Sequence, residues 1–339
     1  MATPPPLRRK VVLVTSPEYT SLCDKLEVDL KKLGLLEALL ASYGLLKSQK
    51  LEKCDFLVAH PRLATIEQLE DFHDSNYLQF IQDLPSSSSA SSNEALSEEI
   101  VDGLKQYGLF DDCSMFSGLF DYMKASVGAS ITAAKYLKVG CSVAINWGGG
   151  RHHAQRDLAS GFCYANDIVL AIFNLLEDPK FPKILYIDLD IHHGDAVEEA
   201  FIFSDNVFTL SFHLFAPFFF PGTGSIDSIG KGRGLYHSLN IPLKEGISDE
   251  IYVRIVTSIS SAIFKLFKPS AIVVQCGADG MFGDATEKGN LTTRGFGAVL
   301  SSILKWDIPT LVLGGGGYNA ANVSRCWAHL TAICAGVAR

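Results

Sequence analysis

The segment Lys183-Ile184-Leu185-Tyr186-Ile187-Asp188-Leu189-Asp190-Ile191-His192-His193-Gly194-Asp195 runs from an unbroken apolar stretch into a cluster of ionisable side chains. The length and composition of residues 183–189 suit a strand buried on both faces. In extended chain, side chains two apart share a side, so Asp188, Asp190 and His192 project together at the strand exit. Burying such groups unpaired beside an apolar strand is costly. Either they form a hydrogen-bonded network at the sheet edge, or a carboxylate and an imidazole two apart share a metal with a third ligand from another strand. Ionisable clusters of this kind concentrate at functional sites, which favours the metal reading.

Segments of the same type recur along the chain, alternating with helical ones. Strands are expected at 11–15, 142–146, 207–212, 271–275 and 310–313, and helices at 25–47, 165–176, 195–203, 249–267 and 293–304. Thr65-Ile66-Glu67-Gln68 has a capping-box pattern that opens a helix continuing through Phe72, Leu78 and Phe80. Continuous apolar strands separated by helices imply a single open α/β domain, its parallel sheet covered on both faces. Residues 1–10 read as a flexible N-terminus and 11–339 as the domain, with the polar run PSSSSASSN at 85–93 a mobile surface insertion. A sheet of this kind carries its site beyond the carboxyl ends of its strands.

The out-of-place polar residues fall at those ends. Asp279, in Gly277-Ala278-Asp279-Gly280, taken alone is a turn former; beside the first motif it becomes the third ligand with Asp190 and His192. Two carboxylates and one imidazole leave a coordination position open, as in catalytic zinc sites, and Fe2+ suits the same ligand types. His152 and His153 follow Asn146-Trp147-Gly148-Gly149-Gly150-Arg151, where one imidazole can activate water and carboxylates such as Asp188 and Asp195 can orient the pair. Gly314-Gly315-Gly316-Gly317-Tyr318-Asn319 lacks the GxxxxGK[ST] of a phosphate cradle; a tyrosine on such a loop suits donation to a developing oxyanion. Gly161-Phe162-Cys163-Tyr164 and Phe218-Phe219-Phe220-Pro221-Gly222 suit the walls of a narrow channel for an aliphatic chain.

The 339 residues carry 37 acidic against 29 basic side chains, a net charge of −8, which disfavours a nucleic-acid surface and favours basic peptide partners. The three charges of Leu7-Arg8-Arg9-Lys10 read as a solvated terminus, and the start of the chain lacks the pattern of a secretory signal. No apolar run is long enough for a membrane span. Eight scattered cysteines without a CxxC pair read as reduced, buried thiols in a cytosolic or nuclear compartment.

These motifs together resemble the class I zinc-dependent histone deacetylases. The likeness rests on SPEY, ATIEQLEDFHDSNYLQFI, GLFDDCSMFSGLFDY, AINWGGGRHHAQRDLASGFCYANDI, ILYIDLDIHHGDAVEEAF, FFFPGTG, QCGADG and LVLGGGGYN, and covers nearly the whole chain. It implies an arginase-related domain with about eight parallel strands, and zinc on Asp190, His192 and Asp279. By the same resemblance His153 is the general base and later acid, His152 its electrostatic partner, Asp188 and Asp195 the carboxylates behind them, and Tyr318 the group that polarises the acetyl carbonyl. Substrate contacts are implied for Asp112 at the rim, for Phe162, Phe220 and Gly161 in the tunnel, and for Gly316. Potassium is implied near Asp188, Asp190, His192, Ser211 and Phe212, with a second ion near Phe201, Ser204 and Val207.

The implied activity is hydrolysis of N6-acetyl-lysine in histone tails and other proteins, in nucleus and cytoplasm, by a transcription-repressing chromatin regulator with corepressor partners. Alternatives are hydrolysis of small acetylated amines, arginase chemistry and a non-catalytic scaffold. Several positions depart from the family pattern. Arg151 replaces an apolar or aromatic residue and bears on the rim. Lys32 replaces an arginine of an internal channel, and His237 a tyrosine near the second potassium site. The loop GMFGDATEKGN is unusual, with Thr286 at a rim position. Family members continue beyond the equivalent of Arg339 with further helices and a strand, so the C-terminal part of the domain is expected to be missing.

Overall fold

The computed structural model describes residues 9–29, 31–84 and 97–338. The polar run at 85–93 and the first eight residues lie outside them. The strands are β1 (Arg9–Val14), β2 (Gln49–Lys50), β3 (Cys54–Ala59), β4 (Val143–Asn146), β5 (Ile184–Asp188), β6 (Val207–Leu214), β7 (Ser238–Leu243), β8 (Ala271–Gln275) and β9 (Thr310–Leu313). They form one sheet in the order β2-β3-β1-β4-β9-β8-β5-β6-β7. Every pairing is parallel except that of the two-residue β2, antiparallel to β3. The α/β expectation is therefore met, with eight parallel strands and one short edge strand among the described residues.

Strands β4, β9, β8 and β5 stand side by side at the centre and are buried along their whole length. Their registers align Asn146 with Leu313, Leu313 with Gln275, and Gln275 with Asp188. Four loops consequently leave the sheet in one row. Helices on both faces bury the apolar strands. Helices Asp249–Phe267 and Thr293–Leu304 occupy the ranges their periodicity predicts.

Elsewhere tertiary contacts reshape the local pattern. The expected helix at 25–47 is interrupted: a 3-10 turn spans Glu27–Asp29, Lys31 is left-handed (φ 57°), and the helix proper is Lys32–Ser42. The break turns Asp29 inward to two buried cations. The capping box at Thr65 forms in both directions, yet its helix ends at Glu70 and a second, capped by Asp74, runs Ser75–Asp83. Between them His73 faces inward, bound to Arg156 O and the Asn166 N–H. β1 starts at Arg9, because parallel pairing with β3 begins there, so Arg9 and Lys10 belong to the sheet and not to a free terminus. Periodicity does not mark the helix Leu119–Lys138, which is rich in Ala, Ser, Gly and Thr and buried on most of its circumference.

Candidate active site

Asp190 and His192 lie in the loop after β5, Asp279 after β8, and one ligand atom from each lies within 4.8 Å of the others. Both oxygens of Asp190 and one of Asp279 accept backbone or side-chain N–H bonds, Asp190 Oδ1 taking that of His192 (3.1 Å). Asp190 Oδ2 accepts from Gln275 Nε2 (2.8 Å) and the Gly316 N–H (2.9 Å), and Asp279 Oδ1 accepts from the Ile191 N–H (2.9 Å). The other oxygens converge on His192 Nδ1, at 3.1 Å from Asp190 Oδ1 and 3.0 Å from Asp279 Oδ2. Metal bonds of about 2 Å at tetrahedral angles hold donor atoms roughly 3.3 Å apart, so the residues fit one ion. A Cβ on Gly316 would stand 2.1 Å from Asp279 Oδ2, so only glycine lets the backbone come this close.

Protein charges alone leave this cluster in conflict. Burial and the neighbouring Asp190 push Asp279 up to about 7. His192 rises to about 10, because Asp279 and Asp190 outweigh the burial that disfavours its charge. A cation between the carboxylates removes that conflict. Asp188 is not a member. Its Oδ2 accepts from His152 Nδ1 (2.8 Å) and the Tyr186 hydroxyl (2.6 Å), and Oδ1 from the Asp190 N–H. The chain turns after β5, which ends the alternation that would align Asp188 with Asp190 and His192.

The paired histidines leave β4, with ring centroids 3.9 Å apart. His153 Nδ1 donates to Asp195 Oδ1 (2.7 Å), and Asp195 Oδ2 also accepts from Gln155. Burial and the charge of His152 lower His153 to about 4 despite Asp195, so its imidazole is neutral near pH 7. His152 moves the other way, to about 9, where Asp188 and Asp190 outweigh burial. The loop carrying the pair is held from behind by the buried Asp167, which accepts from the Gly150 and Arg151 N–H groups.

Tyr318 follows β9. Burial, and then the Asp279 and Asp190 carboxylates, raise its hydroxyl well above the usual range, so it stays a donor. Its ring meets Phe162 edge-on at 5.9 Å. Phe220 lies 4.9 Å from the His153 ring and 6.1 Å from that of His192. Phe219 stacks on His192 at 5.0 Å, a contact no pattern in the sequence specifies. Gln275 likewise reads as an ordinary strand residue, although it orients Asp190.

One narrow cavity is lined by His152, His153, Gly161, Phe162, Asp190, His192, Gly316 and Tyr318, and also by the buried Asp29, Lys32 and Arg151. Gly316 lines it, but its amide is committed to Asp190. Asp112 Oδ2 accepts from the N–H of the cavity-lining Gly161 (2.8 Å). Arg151 is not at the rim: it is 5% exposed and pairs inward with Asp29 at 2.6 Å. Thr286 also turns inward, its hydroxyl donating to Asp279 O (3.0 Å). Phe212 is buried in β6 and Ser211 bonds His213 Nδ1; Ser204, beside the start of β6, donates its N–H to Phe201 O. His237 is half-buried against Phe208 and Phe267.

A doubly covered parallel sheet with a carboxylate–imidazole triad, two of whose members, Asp190 and His192, share one cavity with a neutral imidazole and a protonated tyrosine, has the layout of a metal-dependent hydrolase site. The histone deacetylase domain profile matches residues 28–334, and the chain belongs to the histone deacetylase family, on its class I side. It is a deacetylase enzyme. Histone deacetylase 8 of Xenopus tropicalis is 43% identical over 327 residues, 96% of this chain and 84% of that protein. That of Danio rerio is 43% identical over 97% of this chain and 82% of its own length. Histone deacetylase 1 of Homo sapiens is 40% identical over 89% of this chain and 59% of that protein.

Proposed function

We propose that this site hydrolyses N6-acetyl-lysine in histones and other proteins with a zinc ion on Asp190, His192 and Asp279, releasing acetate. The observation that carries the reading is the triad, whose Asp190 and His192 share one cavity with a neutral His153, a protonated Tyr318 and Phe162. Zinc, when bound, supplies Lewis acidity that polarises a carbonyl and makes water a better nucleophile. His153 takes the proton of the attacking water and returns it to the leaving amine, while Asp195 fixes its tautomer. Asp188 holds His152, whose charge keeps His153 neutral. The Tyr318 hydroxyl donates to the carbonyl oxygen as it gains charge.

Phe162 and Phe220 enclose the aliphatic stem and exclude water, and Asp112 engages the substrate backbone at the mouth. The net charge of −8 favours basic peptides such as histone tails. Action in nucleus and cytoplasm, corepressor partners and a structural potassium near Asp188, Ser211 and Phe212 belong to the same proposal. Acetate release from an acetyl-lysine peptide, with and without chelator, tests it. Tyr318→Phe is expected to lower turnover by about 100- to 1000-fold while zinc content is unchanged. Chelator-insensitive turnover would sink the metal assignment, and a fully active Tyr318→Phe would sink the role of the tyrosine. Preference for a small acetylated amine over the peptide would move the substrate class.

A further inference from the structure

The loop after Asp279 spends a buried carboxylate on backbone alone. Asp284 is 4% exposed, and among the described residues no cationic side chain pairs with it. Its Oδ2 accepts from the N–H groups of Tyr318 (2.7 Å) and Asn319 (3.2 Å), and its Oδ1 from that of Thr286 (3.0 Å). An unpaired buried charge is costly unless strong donors surround it, and charge-assisted N–H bonds are such donors. Asn319 completes the grip, donating through Nδ2 to Gly283 O (2.9 Å) and capping the helix Ala320–Cys334 through its side-chain oxygen.

The segment so held has little stiffness of its own. Four glycines precede Tyr318, and Gly317 sits at φ +127°, where other residues rarely go. From the opposite side Lys32 Nζ donates to the carbonyls of Gly315 (3.1 Å) and Gly317 (3.4 Å). The same loop also touches the triad, through the Thr286 hydroxyl on Asp279 O. Its start and end are tied down by Leu291 N to Gly280 O and Phe282 N to Leu291 O.

We infer that Asp284 is a positioning residue that sets where the Tyr318 hydroxyl stands relative to the metal triad, by fixing the peptide units on both sides of that tyrosine's Cα. The inference rests on the proposed role of Tyr318 as oxyanion donor. A merely structural role is the competing account, since the same carboxylate lies at the start of the helix Ala320–Cys334, where negative charge is stabilising.

The test measures kcat and KM on an acetyl-lysine peptide with the zinc-loaded protein, for Asp284→Asn, Tyr318→Phe and the double variant, with Tm alongside. Asp284→Asn keeps the shape but replaces one acceptor oxygen by a donor. Its kcat is expected to fall on the order of 10- to 100-fold with KM within about twofold, as small misplacements of a reacting group do. In the Tyr318→Phe background the same change should cost less than about threefold, because the group being positioned is gone. Equal losses in both backgrounds, or a fall in Tm with kcat unchanged, would overturn the inference and leave Asp284 a helix-terminus residue. An impaired Tyr318→Phe with a fully active Asp284→Asn overturns the inference alone. A fully active Tyr318→Phe overturns both it and the reading beneath it. Should Asp284→Asn not fold, Asp284→Glu, which keeps the charge but displaces the oxygens, enters the same cycle with the same criteria.

Discussion

Asp29 shows how far one residue's role depends on partners distant in the chain. Its Oδ1 meets Lys32 Nζ at 2.8 Å and its Oδ2 meets Arg151 Nη2 at 2.6 Å, with all three side chains almost fully buried. Burial alone would raise the carboxyl, but Arg151 and then Lys32 outweigh it and hold it below the usual range. Removing the anion leaves two buried cations facing each other. Asp29→Asn is therefore expected to destabilise the protein by about 3–5 kcal/mol, read from urea unfolding. A loss below about 1 kcal/mol would mean that the cations find water or other acceptors. In the sequence Arg151 is recognisable as unusual, but its direction is not. Whether an arginine after three glycines faces rim or interior depends on Asp29, 122 positions away.

At the scale of elements, the break between helices Ile66–Glu70 and Ser75–Asp83 is made by His73. Burial lowers its imidazole to about 4, with Nδ1 at Arg156 O and Nε2 accepting from the Asn166 N–H. The unfolded chain, with an ordinary value near 6.5, takes up a proton first as pH falls. The associated stability is thus complete above about pH 6.5 and is lost progressively as pH drops toward 4, at about 1.4 kcal/mol per unit, or roughly 3 kcal/mol in all. His213, lowered to about 4 by burial and by His193, adds a loss of the same sign. Urea midpoints of the chelator-treated protein across that window should fall, and His73→Gln should flatten part of the slope. An unchanged slope in the variant would refute the assignment. Helical periodicity and the capping box announce the first helix but not its end, because the residue that stops it is bound by a loop more than 80 positions on.

The whole molecule holds its chemistry together by the order of four strands. β4, β9, β8 and β5 are neighbours, so their loops bring His153, Tyr318, Asp279, Asp190 and His192 to one end of the sheet. A metal that bridges loops from β5 and β8 stabilises the entire fold by mass action, about 4 kcal/mol at a thousandfold excess over Kd. Dialysis against a chelator should lower Tm by several degrees, zinc should restore it, and Asp190→Asn should be insensitive to both. A Tm indifferent to chelator would show that the triad holds no metal under those conditions.

The linear order of residues settled which segments become central strands, and that ionisable groups stand just past them. Uninterrupted apolar runs are buried wherever they fall, and polar residues at their ends have nowhere to go but the sheet's edge. It also settled the family, through motifs compact enough to read in one place. The order of strands, the inward turn of Arg151, the hold of Gln275 on Asp190 and that of Asp284 on Tyr318 were decided by tertiary structure alone. The last three join residues 34 to 122 positions apart on different segments of the chain. Local periodicity encodes which side of an element is buried; which partner waits there is set only when distant elements pack.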